Sequence, residues 1–355
     1  MALLFAEGFD WVDPSLTFND LRDEIQKSWQ QANFDNDNSD SGIAAGRIEA
    51  QSLAMANSDD IIVTPLLNDH TVNTSGIIGF AMRTPSSFSS AQILGWNVAG
   101  TTGANFRVTG SGELHFNILT SNLASGGLTG VILNPNQWYY IELDFDIADA
   151  GRMTLHLDGA VVYDNQSIDL RHSSRSAGWT QIVFNGITAN SNTVERQRLD
   201  DIYICDHSGT LNNAPLGPIQ VKALLPDADG FQNDFTSSSG SANHFEDVNE
   251  NPDDETTFLE SSTSGHRELF SHEPSQPLGQ IHGVYHSASV RVTDNIARNV
   301  SLSTRHNTTT TDNVSISVGN SEFTHISAPY DNNPAASGLW SEANLDNTQF
   351  GILID

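Results

Sequence analysis

Residues 138–147, WYYIELDFDI, place carboxylates at alternate positions: Glu142, Asp144 and Asp146. Side chains of a β-strand alternate between its faces, so these three share one face while Ile141, Leu143 and Phe145 share the other. Two carboxyls about 5–5.5 Å apart can cleave a glycosidic bond with retention, one as a protonated acid and one as an ionised nucleophile. Asp146 is one methylene shorter than a glutamate acid, and a half-exposed strand with an acidic outer face explains the same pattern. With 44 acidic residues in the chain, that plainer explanation is the expectation. No catalytic residue is assigned, and the chain is expected not to be an enzyme.

Metal ligands receive the same test. Asp35, Asp37 and Asp40 in DNDNSDSG (35–42) are spaced like a crude calcium loop, but the sixth position is not glycine and no glutamate stands at the twelfth. Asp227 and Asp229 in PDADG (226–230) read as an Asx turn leading into a strand. His115 and His156 fall within expected strands, while His266, His272, His282 and His286 lie closer together, and none has a zinc spacing. No metal or cofactor ligand is assigned. Cys205, the only cysteine, sits in the apolar run DIYICD and reads as a core residue, because no activating base is evident near it. Trp96, Trp138, Tyr139, Tyr140, Trp179 and Trp340 could stack on sugar rings or fill a sandwich core.

These residues need elements to hold them. The dominant period is two, with short alternating runs separated by Gly, Asn, Asp and Ser clusters, which predicts an all-β sandwich. Strands are expected at 77–84, 91–98, 105–110, 113–119, 138–147, 152–159, 160–165, 180–187 and 199–206, with Asp158-Gly159 as a tight hairpin turn. One helix is expected within DPSLTFNDLRDEIQKSW, capped by Ser15 or Asn19 and apolar at Leu21, Ile25 and Trp29. A second series follows at 218–225, 231–235, 244–248, 256–261, 267–272, 280–294, 299–306, 313–319 and 348–355. Two β-sandwich domains therefore result, 1–207 and 218–355, with 208–217 as a linker in which Pro215 and Pro218 limit φ.

Fifteen basic residues against 44 acidic give a net charge of -29. Such a surface is repelled by nucleic acid and by anionic membranes, so neither is an expected partner. No stretch approaches the roughly eighteen apolar residues of a membrane span. MALLFAEGFDW lacks the basic flank and apolar length of a signal peptide, which predicts folding in a reducing cytosol.

The stretches EGFDW, NQWYYIELDFDI, GRMTLHLDGAVVYD and RLDDIYICDHSGTLNNAPLGPIQVKALLPDADG together resemble the concanavalin A-like (laminin G-like) jelly rolls of structural proteins in tailed bacteriophages. The continuation from FQNDFTSSSG to TSGHRELF, with LDNTQFGILI near the end, is similar to the second β domain of such proteins. The resemblance implies a virion component, a capsid decoration or a tail- or fibre-associated protein, assembled in the host cytoplasm through contacts with other virion proteins. It implies a homo-oligomer, trimers being common for exposed phage parts. Calcium, found at the rim of laminin G-like sandwiches, is the one cofactor it leaves open. A lectin-like protein that recognises a host surface glycan is the alternative, and a glycoside hydrolase using Glu142, Asp144 and Asp146 a more remote one.

Overall fold

A computed structural model describes all residues except 1, 35–40, 49–50, 68–70, 99–100, 119–126, 172–177, 188–195, 251–255, 277–278, 295, 320 and 337. The chain divides into two compact units, Met1–Lys222 and Ala223–Asp355.

The first unit opens with β1 (Leu3–Glu7), helix α1 (Phe18–Ser28), β2 (Gln31–Asn33), β3 (Gly42–Ala45), β4 (Gln51–Met55) and β5 (Ile61–Val63). It continues with β6 (Ser75–Arg83), β7 (Ala91–Val98), β8 (Thr101–Val108), β9 (Glu113–Ile118) and β10 (Leu128–Ile132). The last strands are β11 (Trp138–Asp146), β12 (Gly151–Leu157), β13 (Ala160–Ile168), β14 (Gln181–Asn185) and β15 (Gln197–Cys205). One sheet has the order β13-β12-β11-β6-β15-β4-β3, with β1 also paired to β15. The other has the order β10-β9-β8-β7-β14-β5-β2.

Their inner faces form the core. Phe80, Phe106, Phe116, Phe145, Phe184 and Trp29 are fully buried, and Phe184 meets Phe80 and Trp29 edge to face, with ring centroids 5.4 and 6.3 Å apart. Every strand expected between residues 77 and 206 forms, and the β12–β13 turn has Asp158 at φ 51° and Gly159 at φ 82°, the left-handed pair a two-residue hairpin needs. The cap of α1 is Thr17, whose hydroxyl accepts from the Asp20 amide, rather than Ser15 or Asn19. Leu21, Ile25 and Trp29 are its buried face.

The linker and the strand expected at 208–217 and 218–225 are corrected by the structure. Residues up to Lys222 belong to the first unit, and 218–225 contains no strand. Alternation in PIQVKALL reflects instead a segment pressed on one side against the first sheet, where Leu216 and Ile219 pack on the buried cluster that includes Tyr140 and Tyr203.

The second unit contains β16 (Pro226–Asn233), β17 (Thr236–Ser237), β18 (Leu259–Glu260), β19 (Arg267–His272), β20 (Val284–Val290) and β21 (Arg298–His306). Then come β22 (Thr309–Asp312), β23 (Ile316–Val318), β24 (Thr324–Tyr330), β25 (Asn332–Asn333), β26 (Gly338–Leu339), helix α2 (Glu342–Asp346) and β27 (Thr348–Ile354). A six-stranded sheet, β16-β19-β27-β21-β22 with β23 on β21, packs against the β20–β24 ribbon. Leu302, Val300, Val318 and Ile326 fill the space between. The strand expected at 244–248 is a turn of 3₁₀ helix, His244–Asp247. Its Asp247 gathers the preceding serines, accepting from Ser237 Oγ at 2.6 Å and Ser239 Oγ at 2.5 Å.

Candidate functional site

The carboxylates of β11 face outward from the first sheet, and the chain itself covers Glu142 and Asp144, leaving Asp146 partly exposed. Glu142 is fully buried. Its Oε1 accepts from Tyr203 Oη at 2.6 Å and from the Gly217 amide at 2.8 Å. Tyr203 Oη also accepts from the Leu216 amide at 3.1 Å. Burial and the Glu142 charge raise the Tyr203 pKa well above its ordinary value, so it stays a hydroxyl. The ring lies where a side chain at position 79 would stand: a Cβ on Gly79 would fall 1.9 Å from Tyr203 Cε1.

A second anchor holds the same segment. Asp201 sits at φ 49° on an irregular step of β15, and its Oδ1 accepts from the Val221 amide at 2.8 Å. Arg47 closes the clamp. Its Nε donates to Asp201 Oδ2 at 2.9 Å, its guanidinium donates to the Ile219 carbonyl, and its main-chain amide donates to Asp200 Oδ2 at 2.8 Å. Burial pushes the Asp201 carboxyl up, partly offset by the Val221 amide and Arg47. Burial and the adjacent Asp201 charge push Asp200 up to about 7. Gly8 completes the seat, since a Cβ there would fall 2.3 Å from the Val221 carbonyl oxygen.

Asp144 and Asp146 are engaged from the side. Arg152 Nη2 lies 2.8 Å from Asp144 Oδ1, and its Nε lies 2.7 Å from Asp146 Oδ2. His207 Nε2 lies 3.1 Å from Asp144 Oδ1. Burial alone would raise Asp144, but hydrogen bonds from His207 and Arg152 outweigh it and hold the carboxyl below its ordinary range. This strand is therefore a bracket for residues 207–221. A polysaccharide has no path to Glu142, so the expected alternative of glycoside hydrolysis at Glu142, Asp144 and Asp146 is corrected.

Among the described residues, no segment straps the outer face of the opposite sheet as 207–221 straps the first. Ile182 and Phe184 of β14 are in the core, so alternation turns Gln181, Val183 and Asn185 outward. The registers carry that face across the sheet: Asn185 opposite Ile61, Ile61 opposite Asn33, Gln92 opposite Arg107, and Arg107 opposite His115. A groove of about 670 Å³ runs over it, with Ile61 and Val183 among its apolar residues and Gln31, Gln92, Gln181 and Asn185 among its amides. Asn105 Nδ2 donates to Gln92 Oε1 at 2.9 Å, and Gln92 Nε2 donates to Asn185 Oδ1 at 2.7 Å.

No protein-family model and no curated protein matches the chain. Solved structures do. A glucuronan lyase from the fungus Trichoderma reesei is similar at 13% identity and TM-score 0.39, over 54% of this chain and 95% of that one. Alginate lyase Aly36B is similar at 14% identity and TM-score 0.39, over 57% and 96%. The binding domain of botulinum neurotoxin serotype D is similar at 15% identity and TM-score 0.37, over 75% and 71%. The likeness is one of β-sandwich architecture. It corrects the expectation that the chain is not an enzyme: sandwiches similar to it are lyases, so this fold does not mark a chain as non-catalytic.

The remaining candidates divide cleanly. Cys205 is fully buried against Ile77 and Tyr203, as a core residue. Trp96, Tyr139, Tyr140, Trp179 and Trp340 are buried, Trp138 is half-buried, and the groove has no aromatic residue among those described. Sugar stacking on those rings is therefore not what this face offers. Asp35, Asp37 and Asp40 lie outside the described residues. PDADG is not an Asx turn but the start of β16, and Asp229 Oδ1 accepts from the Phe245 amide at 2.8 Å. Among the described residues no group of three His, Cys, Asp or Glu converges on a metal position. His266 Nδ1 lies 2.8 Å from Ser261 Oγ, and His272 is bonded to the Leu345 carbonyl. Sequence reasoning missed the amide face, because Gln and Asn on polar alternate positions look like any solvated strand.

Proposed function

We propose that the chain is a carbohydrate-binding β-sandwich protein that seats a polysaccharide on the outer face of the β7–β14 sheet. The observation that carries this reading is the groove of about 670 Å³ with amides on an apolar floor. Sugar rings present hydroxyls that both donate and accept, and C–H faces that are apolar. Carboxamides are the side chains that both donate and accept at fixed geometry, and Ile61 and Val183 supply the apolar floor. Isothermal titration against a panel of oligosaccharides is the test. Binding by the native chain, lost on changing Gln92 and Asn185 together to alanine with the melting temperature retained, is expected; no binding to any glycan overturns the reading.

A second reading, a structural component of a tailed-phage particle, is favoured by the clamped segment 216–221. Main-chain amides of that segment end on buried carboxylates, which suits a protein whose parts must keep their places under load. Mass spectrometry of purified particles is its test, and absence of the chain from them removes it.

A further inference from the structure

Arg107 is half-buried on the open face of the first unit, and among the described residues no carboxylate pairs with it. That is unusual in a chain with 44 acidic residues for 15 basic. A guanidinium partly removed from water normally recruits an acid, since an uncompensated charge is costly at such a site. Here its neighbours across the sheet are Gln92 on one side and His115 on the other. Burial and the Arg107 charge lower the His115 pKa, outweighing Glu113, so the imidazole is neutral at neutral pH. Glu113 is turned to the edge strand, where its Oε1 accepts from the Gly130 amide at 3.1 Å.

A second observation points at the same spot. Asn105 is 2% exposed, and its Oδ1 is buried without a hydrogen-bond partner. Its amide nitrogen is committed to Gln92, which is committed in turn to Asn185. The relay leaves an acceptor at Asn105 and a donor at Asn185 Nδ2, with Arg107 opposite Gln92, the middle residue of the relay. A buried amide oxygen without a donor costs about 1–3 kcal/mol, a cost that a ligand hydroxyl would remove.

We propose that Asn105, Arg107, Gln92 and Asn185 form a subsite for a carboxylated sugar, so that the glycan read by this face is a polyuronate. This rests on the carbohydrate-binding reading above and narrows it. One guanidinium matches the single negative charge of a carboxylate, and its fork accepts both oxygens. The amide ends meet the ring hydroxyls. The net charge of the chain does not forbid an acidic ligand, because distant charges are screened beyond about 8 Å at physiological salt.

Titration of oligogalacturonate and of the same oligosaccharide with its carboxyls reduced to hydroxymethyl groups separates the two readings. The native chain is expected to bind the uronate about tenfold or more tightly than the reduced form, the worth of one charge-assisted hydrogen bond. Arg107→Gln is expected to abolish that preference with the melting temperature kept, and Arg107→Lys to retain part of it. Equal affinity for both sugars, or a preference that survives Arg107→Gln, overturns the subsite while leaving glycan binding intact. Failure to bind either sugar, with a neutral glycan bound elsewhere in the panel, also overturns the subsite. A sulfated glycan bound in place of the uronate overturns the carboxylate assignment.

Discussion

The two outer faces of the first sandwich began as the same kind of surface and ended as opposites. Both derive from strands with polar residues at alternate positions. On the β11 face the chain returns over Glu142 and Asp201, whose Oε1 and Oδ1 accept from its main-chain amides. On the β7–β14 face nothing among the described residues returns, Arg107 has no carboxylate partner among them, and the Asn105 oxygen is buried without a donor. Identical periodicity thus yields a glued seam on one side and a grooved surface on the other. What differs is cover, and with it dielectric: a carboxylate under a strap must be bonded or neutralised, whereas an amide facing a groove can wait for a ligand.

Breaking the seam should have the largest effect. Arg47→Met removes the guanidinium from the buried Asp201 and from the Ile219 carbonyl, leaving Asp200 its main-chain amide, and is expected to cost about 3–5 kcal/mol in urea unfolding of the whole chain. Glu142→Ala leaves Tyr203 Oη and the Gly217 amide without their acceptor, with an expected loss of about 2–3 kcal/mol. Gly79→Ala drives a methyl into the Tyr203 ring and is expected to cost about 1–3 kcal/mol in the same measurement. The smallest effect belongs to the other face: Arg107→Gln should shift stability by no more than about 0.5 kcal/mol. A loss at Arg107 as large as that at Glu142 would erase the distinction between the faces.

Acidity sharpens the comparison within the seam and extends it to the second unit. The folded pKa of Asp200 is raised to about 7, so the folded chain binds more protons than the unfolded one between the two values. Its stabilising share is complete below the unfolded pKa and is lost as pH rises through about 7. His286, buried against Phe350 with ring centroids 5.1 Å apart, has its pKa lowered by burial to about 4. Its share is present above the unfolded value of about 6.5 and is lost as pH falls toward 4. Thermal unfolding followed from pH 4 to 9 should show Asp200→Asn flattening the decline of the first unit as pH rises from about 4 through 7, and His286→Phe flattening the decline of the second as pH falls from about 6.5 toward 4. A seam whose decline up to about pH 7 survives Asp200→Asn would place the titrating group elsewhere.

The strands from residue 77 to 206 were legible because each buries one face, so period two is imposed on the residue types. Cys205 in the core and the Asp158-Gly159 hairpin were legible for local reasons of the same kind. The strands before residue 65 were not, being only three to five residues long and so too short to display a period. No strand was expected between 306 and 313, yet Asn307 at φ 53° closes a hairpin whose second strand is Thr309–Asp312. Thr324–Tyr330 carries histidine, serine and proline, and becomes a strand because Val284–Val290 lies opposite it. Both are cases of pairing overriding a weak local preference.

By itself the sequence determined the class of fold, the two-unit layout, the core and the sign of the surface, because these follow from composition and from periods that any alternating strand must obey. Which face of the first sandwich would be closed, and so whether Glu142 or Gln92 meets solvent, was decided by the tertiary structure alone. The deciding contacts join residues 47, 142, 201 and 216–221, so far apart along the chain that no local pattern carries them. Burial beneath a returning segment is a property of the packed chain, and it turns a row of acids from a surface into a fastening.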